Sequence, residues 1–193
     1  MGKNLAICKE GFGDFPELKS ERLLLRRITK GDVKEIFEIY SDPEVARYDW
    51  YYPIESMDKA LKIIESFKDT YDDKEEFTWG VTRKGDNRII GYCCLGDFQE
   101  GPRSCEIGYG FNRNQWNKGY GTEAVKMLVK FAFEQMNINR IAGTVTVGNE
   151  PSIKVLKKCG FQQEGIFRER TFMKGELVDD VILAILRKDY SQS

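Results

Sequence analysis

Apolar residues recur at three- and four-residue intervals in several stretches of the chain, the spacing that gives a helix one buried face. The pattern is most regular in the segment GYGTEAVKMLVKFAFEQM, where it continues for about four turns. Four helices are therefore predicted, over Asp32–Tyr40, Glu55–Thr70, Gly119–Met136 and Asn149–Cys159. For the last of these, the sequence indicates Asn149 as the N-cap and Gly160 as the residue that ends the helix.

Other stretches are rich in β-branched and aromatic residues and are bounded by turn-forming residues, which predicts strands. These strands are Arg22–Ile28, Phe77–Arg83, Arg88–Leu95, Ser104–Phe111, Arg140–Val147, Phe161–Phe172 and Leu177–Arg187. The short link Lys84–Asn87 makes a hairpin of the second and third strands. The resulting order, β-α-α-β-β-β-α-β-α-β-β, is not a regular alternation. It predicts an α+β (mixed α/β) fold in which parallel and antiparallel pairings coexist.

The composition of the chain limits the domain organisation, the partners and the kinds of site that are expected. The chain has 193 residues, 41% of them apolar, so we expect a single domain preceded by a leader or edge segment over residues 1–17. Its 30 basic and 31 acidic residues nearly cancel, which disfavours nucleic acid and anionic membranes as partners. No apolar run approaches the roughly 20 residues of a membrane span, and the expected location is the cytoplasm. Five cysteines without a CxxC pair, and no histidine, predict no metal site and no histidine base.

The turn between the strand ending at Phe111 and the helix starting at Gly119 carries the clearest chemical signal. Gly119 and Gly121 leave the backbone amides of residues 117–122 unshielded at the N-terminus of a helix, where unpaired N–H groups and the helix dipole attract anions. The turn is therefore predicted to bind a pyrophosphate, with Lys118 adding a charge-assisted contact.

The string Gly119–Ala124 also satisfies GxGxxA, the fingerprint of dinucleotide-binding folds. That fingerprint needs its first glycine directly after a strand and an acidic residue at the end of the next strand. Here Asn112–Lys118 intervene, and the following strand IAGTVTV contains no acid. A dinucleotide site is excluded on these grounds, and the absence of a GK[ST] sequence excludes a nucleotide P-loop.

Four segments in this order resemble the GNAT superfamily of acetyl-coenzyme A-dependent N-acetyltransferases, and within it the ribosomal-protein N-terminal (Rim-type) enzymes. They are SERLLLRRIT (Ser20–Thr29), EIGYGF (Glu106–Phe111), WNKGYGTEA (Trp116–Ala124) and NEPSIKVLKKCGF (Asn149–Phe161). The resemblance covers residues 18–190, with 191–193 as a tail. It implies a central, mostly antiparallel sheet with helices on both faces.

The resemblance also implies a binding site for acetyl-CoA or coenzyme A. The strand before the glycine turn would diverge from the next strand, and its free backbone would pair with the pantetheine arm. The residues implied for this pairing are Tyr109, Gly110 and Phe111, with Asn149 as a further pantetheine contact. The pyrophosphate would lie on Asn117, Lys118, Gly119, Tyr120, Gly121 and Thr122. Trp116, three residues before Gly119, is the residue that the Rim-type relatives have there.

Transfer to an amine needs a base, a donor to the developing oxyanion and a proton for the leaving thiolate. Glu106 is the candidate base; the alternative is a solvent-facing residue paired with Arg103 or Lys118. A backbone amide of the same strand would polarise the carbonyl. The tyrosine that protonates the sulfur in many relatives corresponds to Leu156 here. Ser152 is nominated to position the thiol or a water, against a purely structural role in the first helical turn.

The acceptor is left open by the sequence. It is a primary amine, either the N-terminus of a ribosomal or other protein or a small amine such as a polyamine, an amino acid or an aminoglycoside. The aromatic residues Tyr48, Trp50, Tyr51 and Tyr52 lie between the first two helices, where they would line the substrate mouth or belong to the core. A non-catalytic CoA-binding sensor is the alternative from another functional class, and an exposed edge strand would permit a homodimer.

Overall fold

The computed structural model describes residues 13–190, which form one sheet of eight strands with helices on both of its faces. The strands are β1 (Leu18–Lys19), β2 (Leu23–Arg27), β3 (Phe77–Arg83), β4 (Ile89–Gln99), β5 (Ser104–Phe111), β6 (Arg140–Thr146), β7 (Gln162–Met173) and β8 (Glu176–Leu186). Their order across the sheet is β1-β2-β3-β4-β5-β6-β8-β7.

The helices are α1 (Val33–Tyr40), α2 (Pro43–Ala46), α3 (Met57–Asp72), α4 (Tyr120–Glu134), α5 (Glu150–Lys158) and α6 (Arg187–Tyr190). Helices α1 and α3 cover one face of the sheet, where their apolar side chains pack around Ile89 and Tyr92. Helices α4 and α5 cover the other face in a larger core cluster that includes Trp79, Leu128 and Leu156. The predicted mixed fold, with helices on both faces, is therefore confirmed.

All predicted strands and helices are present, with shifted ends. Strand β4 extends to Gln99, and α4 ends two residues before the predicted Met136. The order of elements lacked β1, α2 and α6, which have two to four residues and are too short to show a period. Asn149 caps α5 as predicted, and Gly160 follows that helix at φ +90°, a conformation that glycine adopts without strain.

The end of the leader packs on the core. The ring of Phe15 lies 5.0 Å from that of Tyr71 and 5.6 Å from that of Trp79, and the Trp79 indole donates a 2.7 Å hydrogen bond to the Pro16 carbonyl. Residues 13–17 thus cover the side of the larger core cluster. The remainder of the predicted leader, residues 1–12, and the tail, residues 191–193, lie outside the described residues.

Strands β5 and β6 separate part-way along their length. All other neighbouring strands are antiparallel, whereas β5 and β6 are parallel and pair only through Ser104–Arg140, Cys105–Ile141 and Glu106–Ala142. Beyond Glu106, β5 remains paired with β4 as far as Phe111, and β6 remains paired with β8 as far as Thr146. An opening therefore forms inside the sheet between the two strands.

Strands β4 and β5 approach each other closely beside this opening. A substitution at Gly91 tests how much this close packing stabilises the fold. A Cβ at Gly91 would lie 2.4 Å from the Phe111 ring and 2.7 Å from the Gly110 carbonyl oxygen. We expect Gly91→Ala to lower the free energy of unfolding by about 1–3 kcal/mol, because a backbone atom cannot move aside without disturbing the ladder. Urea denaturation of both proteins measures this. Gly101→Ala is the control, since nothing lies within 4 Å of a Cβ there; equal stability of the two variants would contradict the prediction.

Candidate active site

The opening between β5 and β6 exposes backbone groups of β5. The amide of Asn112 donates to the Ile90 carbonyl, and hydrogen-bonding direction alternates along a strand. By this alternation Gly110 bonds to Tyr92 in β4, whereas the amides of Tyr109 and Phe111 face the opening. The Phe111 carbonyl is occupied by a 2.8 Å hydrogen bond from the Trp116 indole. Of the three residues predicted to pair with a pantetheine arm, Tyr109 and Phe111 thus have suitable backbone direction.

Gly110 has a different role. A Cβ at this position would lie 2.6 Å from the Tyr92 ring, so the glycine makes room for that ring on the face covered by α1 and α3. Its backbone is directed into the sheet ladder and away from the opening. The sequence resemblance marked Gly110 without distinguishing these two directions.

The turn before α4 has the backbone geometry predicted for an anion site. Asn117 and Gly119 have positive φ angles of 61° and 80°, which direct successive amides toward one side. Among the described residues, no acceptor bonds to the backbone amides of residues 117–122, and the first intrahelical bond is that of Glu123 to the Gly119 carbonyl. Unpaired amides at the N-terminus of a 15-residue helix suit a pyrophosphate. The ammonium of Lys118 bonds instead to the Asn114 carbonyl at 2.7 Å.

An ion pair between Arg22 and Glu123, which the sequence did not indicate, lies behind this turn. The Glu123 carboxylate accepts bonds from the Ser20 hydroxyl at 2.7 Å, the Arg22 amide at 3.0 Å and the Arg22 Nε at 2.7 Å. Arg22 also donates to the Lys118 carbonyl at 3.1 Å, and its guanidinium lies 4.9 Å from the centre of the Tyr120 ring. The carboxylate is thus neutralised by Arg22, which removes the repulsion that a free acid in the first turn would exert on a bound phosphate.

The first turn of α5 faces the opening from the other side. The Asn149 side chain accepts a bond from the Ser152 amide at 3.4 Å. The Ser152 hydroxyl lies 2.8 Å from the Tyr109 hydroxyl, which also donates to the Ser152 carbonyl at 3.1 Å. Leu156, one turn further on, is buried against Ile107 and Gly143. A tyrosine hydroxyl is therefore present at this helix, but β5 supplies it.

Glu106 is the last residue of β5 that pairs with β6, and it lines an open cavity of about 290 Å³. Its carboxylate accepts a long 3.5 Å hydrogen bond from the Thr144 hydroxyl. Neither Arg103 nor Lys118, its alternative partners, bonds to it: Arg103 bonds to Asn137 and Lys118 to Asn114. The other residues around the cavity are Asp97, Gln99, Ser104, Cys105, Arg140, Ala142, Glu164, Phe167, Arg170 and Ile182.

The surroundings of Glu106 raise the pKa of its carboxyl group. Burial is the largest cause, and the negative charge of Asp97 adds to it. The positive charge of Arg170 and the hydrogen bond from Thr144 act in the opposite direction. A carboxyl group with a raised pKa is a stronger base once it has ionised.

The aromatic segment after α2 divides between core and surface. The Tyr51 ring lies 4.8 Å from that of Tyr40 in the core, whereas Trp50 and Tyr52 are 77% and 66% exposed. The Tyr48 carbonyl accepts a 3.3 Å bond from Thr146 at the end of β6. The Lys174 ammonium at the β7–β8 turn bonds to the Ala46 carbonyl of α2. The segment therefore contacts the end of β6, and none of its four aromatic residues lines the Glu106 cavity.

Comparison with known proteins agrees with this geometry. The family model of the acetyltransferase (GNAT) domain matches residues 22–162, which is most of the chain. The chain belongs to the GNAT acetyltransferase family. It is therefore an N-acetyltransferase whose acyl donor is acetyl-CoA, and the unpaired amides of the turn and of β5 fit that donor.

Among the proteins to which this chain is similar are one relative and two solved structures. The N-acetyltransferase YoaA of Bacillus subtilis (strain 168), itself uncharacterised, is 32% identical over 90% of this chain and 98% of its own. The spermidine N-acetyltransferase of Vibrio cholerae, solved with CoA and spermine, is 25% identical with a TM-score of 0.77, over 89% of this chain and 99% of its own. Mycobacterium smegmatis RimJ, solved with CoA-disulfide, shares the fold at 20% identity with a TM-score of 0.81, over 92% and 89%.

We expect the affinity of the GNAT acetyltransferase for acetyl-CoA to depend on the Arg22–Glu123 ion pair. Glu123→Gln removes the charge that holds Arg22 behind the turn, and a charge-assisted hydrogen bond contributes about 1.5 kcal/mol. We expect the KM for acetyl-CoA to rise about tenfold, with kcat little changed. Steady-state kinetics with varied acetyl-CoA measures this.

Glu65→Gln is the matched control, because Glu65 on α3 forms an exposed ion pair with Lys30, which precedes α1. A KM for acetyl-CoA that rises equally in both variants, or in neither, would show that the pair does not hold the turn.

Proposed function

We propose that this N-acetyltransferase moves the acetyl group directly from acetyl-CoA to a primary amine held in the Glu106 cavity, with Glu106 as the base. The observation that carries the proposal is the position of Glu106. Glu106 is the last residue of β5 before this strand separates from β6. Its carboxylate faces the cavity, and the backbone that follows it borders the opening. Donor and acceptor would therefore meet beside one carboxylate.

The acceptor reaches the cavity as an ammonium ion and must lose a proton before it attacks. An alkyl ammonium has a pKa of about 10 and an α-ammonium one of about 8, so an ionised carboxylate in contact with the nitrogen assists this loss. Glu106 forms no ion pair within the described residues, which leaves its oxygens available to the ammonium. The nitrogen then forms a bond to the acetyl carbon as the bond between that carbon and sulfur breaks.

Two further groups support this transfer. The Tyr109 amide, which faces the opening, is suited to donate a hydrogen bond to the acetyl oxygen as negative charge develops there. The Ser152 hydroxyl, bonded to the Tyr109 hydroxyl, is suited to orient the departing thiolate or a water beside it. The sulfur finally takes up a proton, and free CoA leaves.

Direct transfer is favoured over a cysteine intermediate. Burial raises the pKa of Cys93 and of Cys94, and it raises that of Cys159 to about 11. Cys105 is 1% exposed. A thiol that stays protonated at neutral pH is a poor nucleophile, so none of these four side chains is suited to carry the acetyl group.

The N-terminus of a peptide or protein is the acceptor that the cavity favours over a polyamine. The cavity combines carboxylates with two arginines, Arg140 and Arg170, and is open to solvent. Three carboxylates outnumber the two arginines, so the charge of the cavity does not by itself exclude a polycation. An α-ammonium is favoured because it presents a single positive charge to Glu106 and has the lower pKa. A cytoplasmic setting is part of the proposal, because proteins with N-termini to modify and reduced cysteines are both found there. The homodimer remains a prediction.

No helix in the described part of the chain is long and apolar enough to cross a membrane. Among the same residues, no group of three or more histidine, cysteine, aspartate or glutamate side chains is arranged to hold a metal ion.

Glu106→Gln tests the role of the base. We expect kcat to fall about 100-fold or more, because general base catalysis contributes at least that factor, while acetyl-CoA binding is retained. Release of free CoA with a panel of peptides and amines measures turnover, and calorimetry measures binding. Ser152→Ala is expected to reduce kcat by a smaller factor.

CoA binding and release by the unmodified protein test the acetyltransferase activity itself. Tight CoA binding without release of free CoA for any amine would favour the CoA-binding sensor, and turnover unchanged by Glu106→Gln would remove this residue from the mechanism.

The pH dependence of kcat/KM tests the electrostatic setting of Glu106. The base must be ionised, so activity is lost as the pH falls through its raised pKa. Asp97 raises that pKa and Arg170 lowers it. We therefore expect Asp97→Asn to move the acidic limb to lower pH and Arg170→Gln to move it to higher pH. Shifts in the same direction, or no shift in either variant, would contradict the assignment.

A further inference from the structure

The charges around the Glu106 cavity differ in whether they are already paired. Arg140 and Glu164 form a two-pronged ion pair with N–O distances of 2.7 and 2.5 Å. Such a pair satisfies both partners and leaves little net charge for a ligand. These two residues therefore form part of the wall of the cavity.

Arg170 differs from Arg140 in how few of its hydrogen-bond donors are used. Its guanidinium donates one 3.2 Å hydrogen bond to the Thr144 hydroxyl and lies 5.5 Å from the centre of the exposed Phe167 ring. No carboxylate among residues 13–190 forms an ion pair with it. A planar fork of donors that faces a cavity with most of its N–H groups unused is suited to a carboxylate or phosphate.

Thr144 sets the position of this guanidinium relative to the base. Its hydroxyl donates to Glu106 at 3.5 Å and accepts from Arg170 at 3.2 Å. The carboxylate and the guanidinium therefore lie on two sides of one hydroxyl group without contacting each other. A ligand that carries an ammonium and an anionic group a few bonds apart would complement both at once.

We propose that Arg170 selects acceptors that carry an anionic group close to the amine that is acetylated. The inference rests on the proposed function, since it takes the acceptor amine to lie at Glu106. The anionic group is the α-carboxylate of a free amino acid or the side-chain carboxylate of an acidic residue near a peptide N-terminus. A linear polyamine has no such group and is a poor acceptor.

The test compares acceptors that differ only in charge. The peptide pair is Ala-Asp-amide and Ala-Asn-amide, which share the same α-amine, and the amino-acid pair is alanine and alaninamide. Spermidine serves as an acceptor without an anion. Values of kcat/KM are measured at about pH 8, near the pKa of an α-ammonium, for the parent, Arg170→Gln, Arg170→Lys and Arg168→Gln. Arg168 is exposed on the same strand and is not part of the cavity wall, which makes it the matched control.

The parent enzyme is expected to prefer the anionic member of at least one pair by about tenfold. Arg170→Gln is expected to bring that ratio close to one, Arg170→Lys to retain part of it, and Arg168→Gln to leave it unchanged, all with an unaltered KM for acetyl-CoA. The pair that shows the preference identifies the source of the anion.

Equal use of the charged and neutral members by the parent would overturn the inference while leaving the acetyltransferase function in place. A preference that survives Arg170→Gln, or spermidine as the best acceptor, would do the same. Failure to acetylate any of the five compounds would instead count against the proposed function and the inference together.

Discussion

The divergence of β5 from β6 after three residue pairs is the constraint on which the site depends. Unpaired backbone inside a sheet is unfavourable unless another partner or water satisfies it. Here the other edge of each strand stays paired, β5 with β4 and β6 with β8, and α4 and α5 pack across the larger core cluster beneath them. The opening is therefore held by the strands around it, and its free amide groups lie on a rigid frame.

The two ends of the site use electrostatics in opposite ways. At the glycine turn, the unpaired amides are suited to an anion, and the Glu123 carboxylate beside them is neutralised by Arg22. At the cavity, burial and the charge of Asp97 raise the pKa of Glu106, while Arg170 and Thr144 limit that rise. The first arrangement is suited to a phosphate, since no free acid competes for the amides, and the second is suited to a carboxylate that accepts a proton.

Sequence reasoning predicted the donor half of the site in detail because its elements are local. A glycine turn between a strand and an amphipathic helix, and an asparagine cap on the next helix, can be recognised within a few residues of chain. Glu106 was predicted as the base, but its surroundings were not predicted correctly: the expected partners Arg103 and Lys118 are engaged elsewhere. The sequence also did not indicate two side-chain contacts. Arg22 bonds to Glu123, about a hundred residues away, and the Tyr109 hydroxyl bonds to Ser152; neither contact leaves a local pattern in the sequence.

By itself, the sequence determined the class of fold, the long helices and strands, the glycine turn before α4 and membership of the GNAT family, since each depends on periodicity, capping or a short motif. Only the tertiary structure decided which face of β5 carries Glu106, which backbone amides border the opening, and which charges of the cavity remain unpaired. Those properties depend on strand register and on side chains that meet across the sheet. A shift of register by one residue would turn Glu106 to the opposite face and leave the local sequence unchanged.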